Sequence, residues 1–263
     1  MRKFLAIPLL LYFFCLIISI SLLFVSNSFD FNSRFSKTFV SWEIDKSCTD
    51  GNQKECYVYQ NSSPRASVSL IGDSHMQQYF EEFKIIGKTE NIDFVYVIDI
   101  SQVLSTKVKP SVIIISEYHS FSSAQNLELF SQLLVRISNQ KIPLLYIGDN
   151  PVFSDTHKYE HYINPSMFFQ IAEKIGFNLV PDKFVHINQI NKNSQFAGQE
   201  YLETAKKLAT TIDTFALFCN SSTCRRFENG QWLYWDDDHL SIYGASLVAA
   251  NIRKELLVLI QAS

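Results

Sequence analysis

Short, apolar, β-favouring runs that alternate with helical patterns constrain this chain most. "ASVSLIG" (66–72), "IDFVYVID" (92–99), "PSVIIIS" (110–116) and "IPLLYIG" (142–148) read as buried strands. "DTFALFC" (213–219) reads as a fifth. Between and after them lie helical patterns. "HMQQYFEEFKIIGK" spaces Met76, Phe80, Phe83 and Ile86 on one face, and "SAQNLELFSQLLVRISNQ" is amphipathic. "SMFFQIAEKIG", "EYLETAKKLAT" and "SIYGASLVAANIRKELLVLIQ" read as further helices. Alternation of this kind predicts an α/β domain with a mainly parallel sheet and helices on both faces. Such sheets hold ligands beyond the carboxyl ends of their strands. Ser74, the segment 116–120 and the segment 148–151 all follow predicted strand ends, so they are placed to line one crevice.

The 263 residues allow one compact domain of about 200 residues plus appendages. An apolar fraction of 47% supplies a sizeable core. A net charge of -3 without a basic cluster disfavours nucleic acid as a partner. Arg2 and Lys3 precede the uncharged run "FLAIPLLLYFFCLIISISLLFV" (4–25). That run is long enough for a hydrocarbon core of about 30 Å and exceeds a usual signal-peptide core of about 7–15 residues. An uncleaved transmembrane anchor is expected, with cleavage near Ser26 or Ser28 as the alternative. The positive start favours the cytoplasm, which puts the remainder outside, in the periplasm or at the cell surface. The expected layout is a cytoplasmic start and anchor over 1–25, a tether and disulfide-closed loop over 26–64, and the globular domain over 65–263.

Four cysteines lie beyond the anchor: Cys48, Cys56, Cys219 and Cys224. An even number in an exported domain suggests two disulfides. Sequence permits three connectivities, of which the local pairs Cys48–Cys56 and Cys219–Cys224 are expected. Zinc binding by these cysteines is the competing reading, but their spacing lacks a CxxC pair and no histidine lies near.

Chemistry concentrates in "SLIGDSHMQQYF" (69–80) and "WDDDHLSIYGA" (235–245). Ser74 sits between a strand and a helix, where a serine is commonly a helix cap worth about 1 kcal/mol. Gly72 permits a tight turn there. Far downstream, Asp236 precedes His239 by three residues. A serine hydroxyl needs a neutral imidazole to take its proton, and the imidazole needs a carboxylate to fix its tautomer. The plainer account of Asp237, Asp238 and Ser241 is an acidic cap on the last helix. It explains the carboxylates but gives no reason for His239.

"IGDSH" and "DDDHLSIYGA", together with "PSVIIIS", "IPLLYIGDNP" and "LFCNSSTCRRFENGQWLYWDDDHLSIYGA", resemble the SGNH (GDSL-type) hydrolase family. The nearest likeness is to the SGNH domain associated with acyltransferase-3 membrane proteins, over about residues 67–250. The resemblance implies a three-layer α/β/α fold and ester chemistry through an acyl-serine. It implies Ser74 as nucleophile, His239 as base, Asp236 as orienting carboxylate, Asp73 as the turn-supporting aspartate, and the Ser74 backbone N–H as one oxyanion donor. No cofactor and no metal are expected. The chain departs from the family pattern at the third-strand exit, "SEYHSF", which lacks a Gly-x-Asn-Asp block. Tyr118, His119 and Ser120 are the remaining oxyanion candidates, each more simply read as an ordinary loop residue.

The expected function is a membrane-anchored serine O-acyltransferase or acylesterase that O-acetylates a cell-envelope polysaccharide. Its partners would be that glycan and a membrane acyltransferase delivering acetyl groups. A non-catalytic SGNH-derived glycan-binding or scaffolding domain is one alternative. A metal-dependent phosphoesterase using Asp73, His75, Asp236, Asp238 and His239 is another. His157 and His161 are expected in a solvated loop, and His186 without chemistry. Trp232, Tyr234 and Trp235 are expected to pack rather than line a glycan site. Activity is expected to fall as His239 protonates, near the ordinary value of about 6.5.

Overall fold

The computed structural model describes residues 56–97, 109–119, 122–154 and 182–262. The expected anchor, the tether, Cys48, Ser120, His157 and His161 lie outside them. Among the described residues, no helix is long and apolar enough to cross a membrane.

Six strands form the central sheet: β1 (Cys56–Tyr59), β2 (Ala66–Gly72), β3 (Ile92–Tyr96), β4 (Val112–Ser116), β5 (Leu144–Ile147) and β7 (Thr210–Ile212). Their order is β1-β3-β2-β4-β5-β7. All neighbours are parallel except the edge pair β1–β3. The mainly parallel α/β architecture is therefore as expected, and the edge strand β1 comes from the stretch read as a loop. A short strand β6 (Phe184–His186) pairs with β8 (Thr223–Arg225), and β9 (Phe227–Glu228) with β10 (Gln231–Trp232).

The helices are α1 (Ser74–Gln77), α2 (Phe80–Glu90), α3 (Ala124–Asn139), α4 (Lys192–Ala205), α5 (Thr214–Phe218) and α6 (Ile242–Ala262). Strand side chains alternate between two cores. Val68, Leu70, Phe94 and Ile114 pack with Phe83 and Ile86 of α2 and Val248, Ile252 and Leu256 of α6. Ile71, Val95, Ile113, Ile115 and Tyr146 pack with Phe130, Leu134 and Ile137 of α3 and Tyr201 and Leu202 of α4. Helices thus cover both faces, as a near-continuous apolar strand requires.

Two elements differ from expectation. "DTFALFC" is not a strand. Asp213 accepts a hydrogen bond from the Ala216 N–H and caps α5, which buries Thr214 and Phe218, four residues apart. The outer parallel strand is β7, just before it. The helix expected over 75–88 is broken at Gln78 and Tyr79 into α1 and α2. The Cys219–Cys224 disulfide is present as expected. For the other pair, Cys48 lies outside the described residues.

Helix α6 runs very close to the segment before the acidic loop. A Cβ added at Gly244 would sit 2.0 Å from the Leu233 carbonyl oxygen. Gly244→Ala is expected to cost about 1–3 kcal/mol by overpacking, read as a lower urea midpoint. An unchanged midpoint would show that the helix shifts freely.

Candidate active site

The site begins where β2 ends. Gly72 has φ +149°, and a Cβ there would lie 1.8 Å from the Ser116 carbonyl oxygen of β4. Only glycine lets the chain turn at so close an approach. Asp73 then caps α1, accepting from the His75 N–H at 2.9 Å. Its second oxygen accepts from the Tyr118 N–H at 3.0 Å. The cap is therefore Asp73 and not Ser74, whose hydroxyl remains for other use.

That hydroxyl meets His239. Ser74 Oγ lies 2.8 Å from His239 Nε2, across 165 positions of sequence. His239 Nδ1 lies 2.9 Å from Asp236 Oδ2 and 3.0 Å from Oδ1. Asp236 also shapes the loop, because Oδ1 accepts from the N–H of Asp238 at 3.1 Å and of His239 at 2.7 Å. Such a local carboxylate-to-backbone turn explains the three-residue spacing. The Trp235 N–H donates to the His239 carbonyl at 2.8 Å and closes the loop.

A second carboxylate reaches the same ring nitrogen: Asp238 Oδ1 lies 2.8 Å from Nδ1. Burial opposes charge on His239, but hydrogen bonding and charge from Asp236 and Asp238 outweigh it and push the imidazole up to about 10. Burial likewise penalises the Asp238 carboxylate, yet His239 and the nearby His75 hold it well below the usual carboxylate range.

A buried amide network joins the two halves. Gln78 Oε1 accepts from the Leu240 N–H at 2.8 Å and from Asn150 Nδ2 at 3.2 Å. Gln78 Nε2 donates to the His75 carbonyl at 2.9 Å, and Asn150 Nδ2 donates to the Asp238 carbonyl at 3.1 Å. Sequence reading missed both residues. Asn150 had one signal, its place just after a parallel strand; Gln78 had none, since it reads as a polar helix position.

The oxyanion candidates are placed as follows. The Tyr118 N–H is taken by Asp73, and the Tyr118 hydroxyl lies 3.2 Å from Ser194 Oγ. The His119 N–H donates to Asp149 at 3.0 Å, its Nδ1 lies 3.2 Å from Asp149 Oδ1, and its ring stacks on Tyr201 at 3.5 Å. Ser120 is outside the described residues. His186 caps a short turn. Trp232 and Tyr234 are buried against Phe227, Phe153 and Phe218, as expected of packing residues. His75, Asp238 and His239 offer donor atoms within 4.8 Å of one another, whereas both Asp73 oxygens face backbone N–H groups.

The fold and this constellation define an α/β protein with a mainly parallel sheet that carries a serine, a histidine and a carboxylate beyond its strand ends. A family model described as the SGNH domain fused to AT3 domains matches residues 98–254, more than half of the chain, and the chain belongs to that family. No curated protein matches the sequence. Among solved structures, the periplasmic domain of a lipopolysaccharide acetyltransferase from Salmonella ser. Paratyphi A is similar at TM-score 0.54 and 14% identity, over 75% of this chain and 85% of that one. The acetyl xylan esterase AlAXEase aligns at TM-score 0.42 and 14% identity, over 72% of this chain and 98% of that one. Axe2, an acetylxylan esterase from Geobacillus stearothermophilus, aligns at TM-score 0.37 and 11% identity, over 74% and 96%.

Two outcomes are expected. A histidine raised in the folded state adds stability that is complete below about 6.5 and is lost as pH rises through the folded value of about 10. Imidazole NMR should therefore find His239 still protonated at pH 7.5, and Asp238→Asn should move its titration downward; an ordinary titration in both proteins would contradict the assigned contacts. Separately, Gln78→Met should strand the buried Leu240 N–H and lower stability by about 1–3 kcal/mol in urea unfolding, whereas an unchanged midpoint would mean that water replaces the amide.

Proposed function

We propose that the protein is an extracytoplasmic, membrane-anchored SGNH serine acyltransferase or acylesterase that acts on O-acetyl groups of a cell-envelope polysaccharide. The observation that carries the reading is the 2.8 Å contact between Ser74 Oγ and His239 Nε2, with Asp236 on the opposite ring nitrogen. In this scheme Ser74 Oγ attacks the acyl carbonyl carbon while its proton passes to His239 Nε2. The bond from that carbon to the leaving oxygen then breaks, and His239 returns the proton to the leaving group. An acceptor hydroxyl attacks the acyl-serine, gives its proton to His239, and Ser74 regains one as its ester bond breaks. A sugar acceptor gives transfer; water gives hydrolysis. The Ser74 N–H is the proposed oxyanion donor, since those of Tyr118 and His119 are engaged elsewhere.

The glycan and the outside location are supported by the family's association with AT3 domains and by likeness to a periplasmic lipopolysaccharide acetyltransferase domain. A membrane acyltransferase that supplies acetyl groups is the partner this reading implies. The uncharged run over 4–25 supports the anchor.

A fluorophosphonate probe should label the wild type and should fail with Ser74→Ala. His239→Ala should slow labelling by roughly 10²–10⁴. The rate should climb with pH well beyond 6.5, because the raised imidazole must lose its proton first. Folded wild-type protein that never labels would favour a glycan-binding domain instead. Mass spectrometry of envelope glycans with and without the gene identifies the acceptor.

A further inference from the structure

We propose that His75, Asp238 and His239 form a zinc-binding site whose occupancy silences Ser74; the inference rests on the serine reading above. His75 is 1% exposed, and its Nε2 has no hydrogen-bond partner. Leaving a buried ring nitrogen unpaired is costly, so an orphan of this kind calls for a reason. The nitrogen faces Asp238 Oδ2 at 3.6 Å, too far for a hydrogen bond. The other oxygen of Asp238 lies 2.8 Å from His239 Nδ1. One donor atom from each of the three residues falls within 4.8 Å of the others.

Two imidazole nitrogens and a carboxylate suit Zn²⁺, which takes nitrogen and oxygen ligands at about 2.0–2.2 Å. Oxygen-seeking Mg²⁺ and Ca²⁺ fit the set poorly. The frame is fixed on the His75 side. Its N–H is held by Asp73, its carbonyl accepts from Gln78, and its ring lies 5.0 Å from that of Tyr118 and 4.9 Å from that of His239. His239 and Asp238 keep 16% and 17% of their side-chain surface exposed, which gives an ion a way in. Asp236 and Asp237 add negative charge beside it.

The consequence follows from imidazole chemistry. Zn²⁺ bonds to the Nδ1 lone pair, and the proton held there leaves to solvent. The neutral ring retains its other proton on Nε2, which then donates to Ser74 Oγ and has no lone pair to accept the serine proton. The metal is thus an inhibitor that locks the unproductive tautomer, unlike the catalytic ion of a phosphoesterase.

The test uses the full chain in detergent, stripped with EDTA. Zn²⁺ should bind in calorimetry and slow fluorophosphonate labelling roughly 10²-fold, the scale of a lost general base, with EDTA restoring the rate. Mg²⁺ should do neither. His75→Gln should still label in EDTA and lose the zinc effect, read as the ratio of its rates with and without zinc. Should that variant not fold, ¹⁵N NMR of the wild type replaces it, with zinc-induced shifts expected at both His75 Nε2 and His239 Nδ1. Absent zinc binding, equal zinc inhibition of wild type and His75→Gln, or shifts at His239 alone would overturn the site. Metal-free wild type that never labels would instead sink the serine reading, while calorimetry still judges the metal site.

Discussion

The Gln78 side chain is the joint on which this site depends. Ser74 and His239 stand 165 positions apart, on a helix start and a late loop that share no hydrogen-bonded ladder. A contact of 2.8 Å between them demands that both backbones be fixed to a fraction of an ångström. One amide does much of this: its oxygen takes the Leu240 N–H and its nitrogen takes the His75 carbonyl. Each bonded atom is one residue from Ser74 or His239, so little slack remains between joint and contact. Asn150 adds a third tie from the end of β5, to the Gln78 oxygen and the Asp238 carbonyl. Inside a core, amide bonds of this kind are stronger than in water and costly to leave unmade, which makes them effective positioning devices.

The break between α1 and α2 falls beside the same joint. Gln78 keeps helical dihedrals, φ -57° and ψ -18°, and its N–H bonds to the Ser74 carbonyl, so α1 itself sets its inward direction. The chain departs from the helix at Tyr79, which is buried and precedes α2 with φ -97° and ψ 0°. One net hydrogen bond to Gln78 is worth only about 1 kcal/mol, but stranding its buried partner costs more, so local geometry and distant partners must agree at this residue.

This balance also marks what a sequence discloses. The strands were readable because β4 and β5 are buried on both faces and carry no polar alternation. Asp236 and His239 were readable because one short loop supplies both. Ser74 was readable from its place between strand and helix, although the cap proved to be Asp73. Asp238 and His75 were grouped in the sequence only as ligands of a catalytic metal; that Asp238 also reaches the His239 ring depends on how the acidic loop folds. "DTFALFC" misled for a simpler reason. Its Phe and Thr residues favour strands, while the capping bond from the Ala216 N–H to the Asp213 carboxylate commits the segment to a helical turn.

The two halves of the site rest on different grounds. The family match spans 98–254, so it contains Asp236 and His239 but not Ser74. The serine is joined to them by the "IGDSH" resemblance and by the 2.8 Å contact. That geometry is demanding, since Gly72 tolerates no side chain against Ser116 and Asp73 spends both carboxylate oxygens, on the N–H groups of His75 and Tyr118. A turn built merely to start a helix needs one capping oxygen. The second ties the helix start to the exit of β4, holding the segment that bears Ser74 from both sides while leaving the hydroxyl itself uncommitted to the backbone. A serine left in that state, 2.8 Å from a histidine flanked by two carboxylates, fits the proposed proton transfer better than it fits capping.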